Sequence, residues 1–167
     1  MRLLEPMACA SLGSVEAAVI AKHRGWAINL GGGFHHARRD DGQGFCVYPD
    51  ITFVTHYMEK WFGFKKFMII DLDAHQGNGH ARDHMDKTRF YVFDMYNHRI
   101  FPGDQYAKEA ISMDIDAAHH KEDTAYMEVL RRKLPESFDD FEPDFVIYNA
   151  GTDCMEGDAL GRMDLTA

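Results

Sequence analysis

The sequence is poor in cysteine, with three in 167 residues and no CxxC pair. Cys9, Cys46 and Cys154 stand far apart along the chain. This spacing argues against a disulfide framework and favours free thiols in a reducing compartment.

Long apolar runs and an excess of positive charge are also missing. No apolar run approaches the roughly 20 residues that a membrane helix needs, and Glu5 and Pro6 interrupt the short apolar stretch at the N-terminus, which makes it a poor signal peptide. The formal net charge is −9, which argues against a broad electrostatic grip on nucleic acid. We therefore expect no membrane span, no direct nucleic-acid binding, and a location in the nucleus, the cytoplasm or both.

What is present is the composition of a globular domain, with 46% hydrophobic residues. Short apolar runs bounded by turn formers predict four buried strands, at residues 26–30, 67–71, 90–93 and 145–148. Helical patterns lie between some of these runs. Alternating strands and helices predict an α/β fold with a parallel sheet.

Three helices are predicted from apolar spacing and capping residues. The first covers residues 15–24, with Ser14 as N-cap and Gly25 as C-cap. The second follows Asp50 and ends at Gly63. The third covers residues 126–134, where Pro135 should break or restart the helix.

Polar clusters follow all four predicted strands. They are GGGFHH, DLDAH, DMYNHRIFPG and NAGTD, in chain order. Ligand sites of open parallel sheets form outside the carboxyl ends of the strands. The positions of these clusters therefore predict one composite site.

Asp73, His75 and Asp153 could bind a metal ion from two strand ends. Three protein ligands that leave one position open are typical of a catalytic zinc site, and a divalent ion would offset the charge of two buried carboxylates. For an isolated DxD, helix caps or loop acids at a solvated edge would be the simpler interpretation. The histidine two residues later, together with NAGTD after another strand, favours the metal.

The tandem histidines of GGGFHH are candidates for proton transfer. His35 and His36 could act as a general acid/base pair, because imidazole titrates near neutral pH. The sequence does not match the dinucleotide-binding GxGxxG motif, since His36 occupies the position of the third glycine. The remaining alternative is a glycine-rich turn with surface histidines.

The other histidines offer weaker signals. His80 and His84 have the i, i+4 spacing of a metalloprotease helix, but Ala81 stands where that motif needs glutamate. We expect both to be helix-surface residues. His119 and His120 lie in a charged stretch, DIDAAHHKED, that we expect to be a solvated loop.

Three further side chains lie beside these clusters. Phe45 and Phe101 each follow a turn and could wall a narrow apolar slot, although packing in the core is the simpler interpretation. Cys154 is expected to be a small buried side chain.

Together, GGGFHH, DLDAHQGNGH, FPGD and NAGTD, in this order, resemble the zinc-dependent histone deacetylase family, and DLDAHQGNGH with YNAGTD is most similar to its class IV branch. The similarity runs from about residue 25 to about residue 161. It implies a three-layer, arginase-like α/β fold with a parallel sheet flanked by helices. It also implies zinc-dependent hydrolysis of the acyl-lysine amides of histones or other proteins, chromatin regulation, and possible co-regulator partners.

The resemblance also implies roles for individual residues. The zinc ligands would be Asp73, His75 and Asp153, and the tandem pair beside the metal would be His35 and His36. Asp71 would be the carboxylate behind His35. Further positions follow from the same comparison: Gly33, Phe45 and Phe101 would line the lysine channel, and Asp71, Asp73, the His75 carbonyl and Asp94 would hold a structural K⁺.

One departure from the family pattern concerns Asn78, which stands where many members have a second aspartate behind the second histidine. A carboxylate favours the imidazolium form, whereas an amide supplies no charge. We therefore expect His35 to be the more cationic partner and His36 to stay neutral and accept a proton.

A second departure is the catalytic tyrosine, which family members carry well downstream of NAGTD and which residues 1–167 do not contain. The N-terminal portion of the usual domain is also missing. We therefore expect residues 1–167 to form a single, incomplete domain, truncated at both ends and of weak or no activity.

Two alternatives remain open. A catalytically inactive module that binds acyl-lysine or partner proteins would suit the missing tyrosine. An arginase-like ureohydrolase would hold two manganese ions and would need an aspartate at position 77, where this chain has Gly77. The single aspartate of NAGTD also disfavours two metals.

Overall fold

The computed structural model describes residues 3–166. The helices are α1 (Leu4–Arg24), α2 (Asp50–Phe62), α3 (Asn78–Asp83), α4 (Gln105–Lys108) and α5 (Asp123–Asp140), with a 3₁₀ turn at Ala117–His119. The strands are β1 (Phe67–Asp71), β2 (Phe90–Tyr96), β3 (Ile111–Asp116) and β4 (Phe145–Asn149).

The four strands form one parallel sheet in the order β3-β2-β1-β4. Every residue of β1 and β2 is buried, and this explains their continuous apolar sequences, since helices cover both faces of these two strands. Strand β4 was also predicted to be buried, but its Val146 and Tyr148 are exposed. Met68 and Phe93 pack towards Tyr126 of α5 on one face. Ile69 and Val92 pack towards α2 on the other face. The predicted α/β fold with a flanked parallel sheet is confirmed.

The capping predictions were right for α2 and partly wrong for α1. Gly63 ends α2 in the left-handed conformation, with φ 77°, and Gly25 ends α1. However, α1 begins at Leu4, because Pro6 lies in the first turn, where a missing N–H costs little. Ser14 therefore lies inside α1 rather than at its start.

Helix α5 continues through Pro135, so the predicted break is wrong. The buried side chains of Tyr126 and Val129 precede the proline, and buried Ser137 follows it. The Ser137 hydroxyl donates to the Lys133 carbonyl at 3.0 Å. Packing on both sides of Pro135 therefore outweighs the local cost of the proline.

One predicted strand is absent, and one observed strand was not predicted. Residues 26–30 are not a strand, and Trp26, Ile28 and Leu30 are 72%, 71% and 98% exposed. In contrast, β3 was missed because its two aspartates, Asp114 and Asp116, made the segment look like a loop. Parallel pairing with β2 orders it, whereas His119, one turn later, is exposed as expected.

Helix α1 is an exception to the expectation that no segment could cross a membrane. Its length and apolar composition would be sufficient for a membrane span, and no other helix within residues 3–166 is both long and apolar enough. The core helix of a globular protein or an N-terminal signal sequence can have the same length and composition. In this fold α1 packs Ala18 against Val54 and Met58 of α2.

Candidate active site

The candidate site lies at the carboxyl ends of the two neighbouring strands β1 and β4. Asp71 is the last residue of β1, and the parallel register places it between Asn149 of β4 and Asp94 of β2. Asp73 and His75 follow in the turn after β1. The fold thus brings together clusters that are about 80 residues apart in sequence, as parallel topology requires.

Asp73, His75 and Asp153 converge, with one donor atom from each within 4.8 Å of the others. His75 Nδ1 is 2.6 Å from Asp153 Oδ2 and 3.2 Å from Asp73 Oδ1. The backbone N–H of Ala74 donates to Asp153 Oδ1 at 2.8 Å, which fixes this carboxylate towards the other two. The three predicted ligands therefore meet at one point.

The tandem histidines lie beside this point, and each has its own partner. His35 Nδ1 donates to Asp71 Oδ2 at 2.9 Å, and His36 Nδ1 donates to Asn78 Oδ1 at 2.8 Å. The two ring centroids are 4.1 Å apart. His35 and His36 are both buried, which excludes a turn with surface histidines.

The charges of the two rings differ. Burial lowers the pKa of His35, but the Asp71 carboxylate outweighs it and raises the pKa to about 9. Burial and the neighbouring positive His35 lower the pKa of His36 to about 3. At neutral pH His35 is therefore cationic and His36 neutral. Nδ1 of His36 carries a hydrogen and donates it in a hydrogen bond to Asn78 Oδ1. Nε2 of the neutral ring therefore has no hydrogen and can accept a proton.

Asp50, the first residue of α2, holds the GGGFHH turn and was missed as a site residue. Its carboxylate accepts hydrogen bonds from the N–H groups of Gly33 at 2.8 Å and Phe34 at 2.9 Å. It also accepts one from the Ser14 hydroxyl at 2.6 Å. The only sequence signal was an acidic residue directly before a helical pattern, which usually indicates no more than a helix N-terminus.

His80 and His84 are buried, so the prediction of surface histidines is wrong. The i, i+4 spacing puts both residues on the same side of α3, and this side faces the protein interior. His80 Nε2 donates to Asp71 Oδ2 at 3.0 Å, while His84 Nε2 is 2.8 Å from the Thr55 hydroxyl. His80 thus joins His35 on the same Asp71 oxygen.

The three residues predicted to line the lysine channel differ in their exposure and in their neighbours. The ring of Phe101 meets His36 edge-on, with centroids 5.1 Å apart. Phe45 is 93% exposed and Phe101 46% exposed, so packing in the core is excluded for both. Gly33 has φ 92° and lies next to the Asn149 side chain. The channel itself stays a prediction.

Asp94, the fourth predicted ligand of a monovalent cation, is fully buried. Its Oδ2 accepts a hydrogen bond from the Gly77 N–H at 3.0 Å, and its Oδ1 has no hydrogen-bond partner within residues 3–166. Burial and the nearby Asp71 raise its pKa well above the ordinary value. A cation beside Asp94 would offset this cost.

Comparison with known proteins places the chain beside one family. The family model described as "Histone deacetylase domain" matches residues 3–167. Histone deacetylase 2 of Arabidopsis thaliana is 43% identical over 154 residues, covering 92% of this chain. The acetoin utilization protein AcuC of Bacillus subtilis is 30% identical over 149 residues, covering 84% of this chain.

A solved structure of an HDAC homologue complexed with SAHA superposes with a TM-score of 0.80 at 26% identity, covering 93% of this chain. The chain spans only part of these proteins. It corresponds to 40% of the Arabidopsis relative, 38% of the Bacillus relative and 44% of the crystallised homologue.

Proposed function

The chain belongs to the histone deacetylase family, and on this basis we propose that it takes part in zinc-dependent hydrolysis of acyl-lysine amides, as a protein lysine deacetylase or defatty-acylase. The observation that carries the proposal is the convergence of Asp73, His75 and Asp153 beside a cationic His35 and a neutral His36.

The donor set suits a divalent zinc ion. Two carboxylate oxygens and one imidazole nitrogen lie together. These three ligands would leave the fourth coordination position of a tetrahedral zinc ion open. Burial raises the pKa of Asp73, because burial disfavours its charged form, and a bound cation would offset this cost. A bound zinc ion would polarise the amide carbonyl and lower the pKa of a water molecule.

The chain's own residues would manage the proton and the developing charge. His36 Nε2 would accept the proton of the attacking water and pass it to the departing lysine amine. His35, kept cationic by Asp71, would favour the negative charge that develops on the carbonyl oxygen. Phe101, edge-on to His36, would guide the aliphatic lysine chain.

The wider setting of this activity follows from the family. We propose acylated lysines of histones or other proteins as substrates, co-regulator proteins as partners, and the nucleus, the cytoplasm or both as the location. A structural K⁺ beside Asp71 and Asp94 would explain the unpartnered Asp94 oxygen.

The test is to incubate the chain with zinc and with acetyl-lysine or myristoyl-lysine peptides. The Asp153→Ala variant removes one proposed ligand, and Asp164→Ala, an exposed acid outside the site, is its matched control. We expect weak zinc-dependent release of acetate or fatty acid that Asp153→Ala loses and Asp164→Ala keeps. Product that persists in Asp153→Ala would indicate contamination, and peptide binding without hydrolysis would indicate an inactive binding module.

A further inference from the structure

A cleft opens beside the metal ligands and carries two positive charges. It encloses about 300 Å³, and its lining includes His75 and Phe101 together with Arg99, Leu160 and Arg162. Both arginines are exposed. The same cleft is therefore lined by a candidate metal ligand and by two exposed arginines.

A buried amide holds the two arginine segments together. Asn97 is 2% exposed, and its Oδ1 accepts a hydrogen bond from the Arg99 N–H at 3.0 Å. Its Nδ2 donates to the carbonyl of Gly161, the residue before Arg162, at 3.1 Å. The Asn97 N–H donates to Ala74, between the ligands Asp73 and His75, at 2.9 Å. Asn97 thus fixes both arginine segments through its side chain and the metal-ligand turn through its backbone N–H.

The second arginine occupies an unfavourable backbone position. Arg162 has φ 53°, which a residue other than glycine adopts at a cost. A Cβ at Gly161 would overlap the Asp153 carbonyl, so the chain must pass close to this ligand before it reaches Arg162. The local structure therefore holds Arg162 at the cleft although its conformation is strained.

Neither guanidinium is neutralised by the protein. Within residues 3–166, neither Arg99 nor Arg162 has a carboxylate within ion-pair distance. This contrasts with the formal net charge of −9. The nearby Asp158 carboxylate accepts the N–H groups of Leu160 and Gly161, both at 2.8 Å. Two unpaired cations on an acidic protein, both at one cleft, point to an anionic ligand group.

We propose that Arg99 and Arg162 form a subsite for an aspartate or glutamate that flanks the acyl-lysine in the substrate polypeptide. The proposal rests on the proposed function and adds a substrate preference to it. Acyl-lysine would enter the site with its acyl end first, so the flanking residues stay at the surface, where the exposed guanidinium groups lie. A carboxylate at the acyl end would instead meet the carboxylates of Asp73 and Asp153.

The experiment measures binding of short fluorescent peptides by anisotropy, with zinc present and at low and high salt. The peptides carry central acetyl-lysine with acidic, neutral or basic flanks. Two further peptides carry unmodified lysine with acidic flanks and succinyl-lysine with neutral flanks. The variants are Arg99→Glu, Arg162→Glu and their combination, with Arg131→Glu on α5 as the matched charge control.

We expect the acidic acetyl-lysine peptide to bind about five- to tenfold more tightly than the neutral one at low salt, because each exposed ion pair changes affinity by up to about fivefold. High salt should reduce this preference. The double variant should lose it and gain affinity for the basic peptide, whereas Arg131→Glu should behave as the unmodified chain.

The outcomes separate this inference from the proposed function. If acetyl-lysine peptides bind better than unmodified ones but acidic flanks bring no advantage that depends on Arg99 and Arg162, the subsite proposal is wrong and the proposed function stands. Arginine-dependent preference for succinyl-lysine over acetyl-lysine with neutral flanks would also overturn it. If unmodified and acetylated acidic peptides bind equally, the proposed function loses its support. No binding of any peptide would contradict both.

Discussion

Asp71 is the residue on which most polar contacts of the site converge. Its fully buried carboxylate accepts hydrogen bonds from His35, His80 and Asn149 and from the Asp73 backbone N–H. Burial raises the pKa of this carboxyl, but the charge of His35 and these hydrogen bonds together outweigh burial and hold the pKa far below the ordinary range. Asp71 is therefore charged in the folded protein, and its charge keeps His35 cationic.

Asn78 gives His36 a different environment, and this difference can be tested. We expect Asn78→Asp to raise the pKa of His36 from about 3 by about one unit or more, because a carboxylate stabilises the imidazolium. The measurement is an NMR pH titration of the imidazole signals in the zinc-free chain, with Asn78→Ser as the uncharged control. An unchanged His36 pKa in the Asp variant would contradict the assigned role of Asn78.

The same variant should be less stable. Asn78 Nδ2 donates to Gln43 Oε1 at 2.8 Å, and a carboxylate cannot replace this donor. Gln43 is exposed, so water can satisfy its oxygen, and the lost hydrogen bond itself costs about 0.5–1.5 kcal/mol. The new carboxylate would also lie near Asp104 Oδ2, which is 3.4 Å from Asn78 Nδ2, and the two like charges would repel each other.

Among the larger elements, the turn before the tandem histidines depends on contact with α1 and α2. A Cβ at Gly32 would lie 2.7 Å from Asp50 Oδ2 and would also overlap the Ser14 hydroxyl. A Cβ at Gly31 would meet only ordinary contacts at 3.7 Å. Only glycine therefore fits at position 32 while Asp50 holds the turn.

We expect Gly32→Ala to lower the free energy of unfolding by about 1–3 kcal/mol, because the overlap displaces the Asp50 hydrogen bonds. Gly31→Ala, the matched control, should change it by less than about 0.5 kcal/mol. Urea denaturation of both variants measures the difference. Equal stability of the two would show that the turn is not held as tightly as its contacts indicate.

Helix α5 contains a proline that its packing tolerates but does not require. Pro135 is exposed, and an interior proline costs about 3 kcal/mol relative to alanine. We expect Pro135→Ala to raise the free energy of unfolding by about 1–3 kcal/mol, measured by urea denaturation. Asp139→Ala on the exposed surface of the same helix should stay within about 0.5 kcal/mol. A loss of stability in Pro135→Ala would mean that the proline fits a kink on which packing depends.

The molecule as a whole shows which features a sequence can predict. Strands β1 and β2 were predicted because burial on both faces demands continuous apolar residues. The convergence of Asp73, His75 and Asp153 was predicted because parallel strands end at one edge. In both cases the structural property, burial of a strand or a polar group at a strand end, is visible in the residue types along the sequence.

The errors have a common physical origin. An apolar run such as residues 26–30 looks the same with or without a neighbouring strand, and here it has no strand partner within residues 3–166. The i, i+4 spacing of His80 and His84 shows that they share a face but not which way it points. Asp50 and Asn97 position other residues through backbone contacts that sequence patterns do not reveal.

Metal binding should be coupled to proton release. In the metal-free protein, hydrogen bonds to Asp153 and Asp73 raise the pKa of His75 to about 9, so the ring is protonated at neutral pH. Zinc requires the neutral ring. The apparent zinc affinity should therefore rise from pH 7 towards pH 9 by up to about tenfold per unit, with about one proton released.

Isothermal titration of zinc in two buffers of different ionisation enthalpy measures this proton release. A chain that binds zinc without releasing a proton would contradict the assignment of His75 Nδ1 as a ligand.

The most direct test of the account is to locate the metal and count it. X-ray absorption and metal analysis of the zinc-loaded chain should show one zinc per chain with a single imidazole nitrogen and carboxylate oxygens in its first coordination sphere, and Asp153→Ala should lose this binding. Two tightly bound manganese ions per chain, or zinc that Asp153→Ala retains in the same coordination, would contradict it.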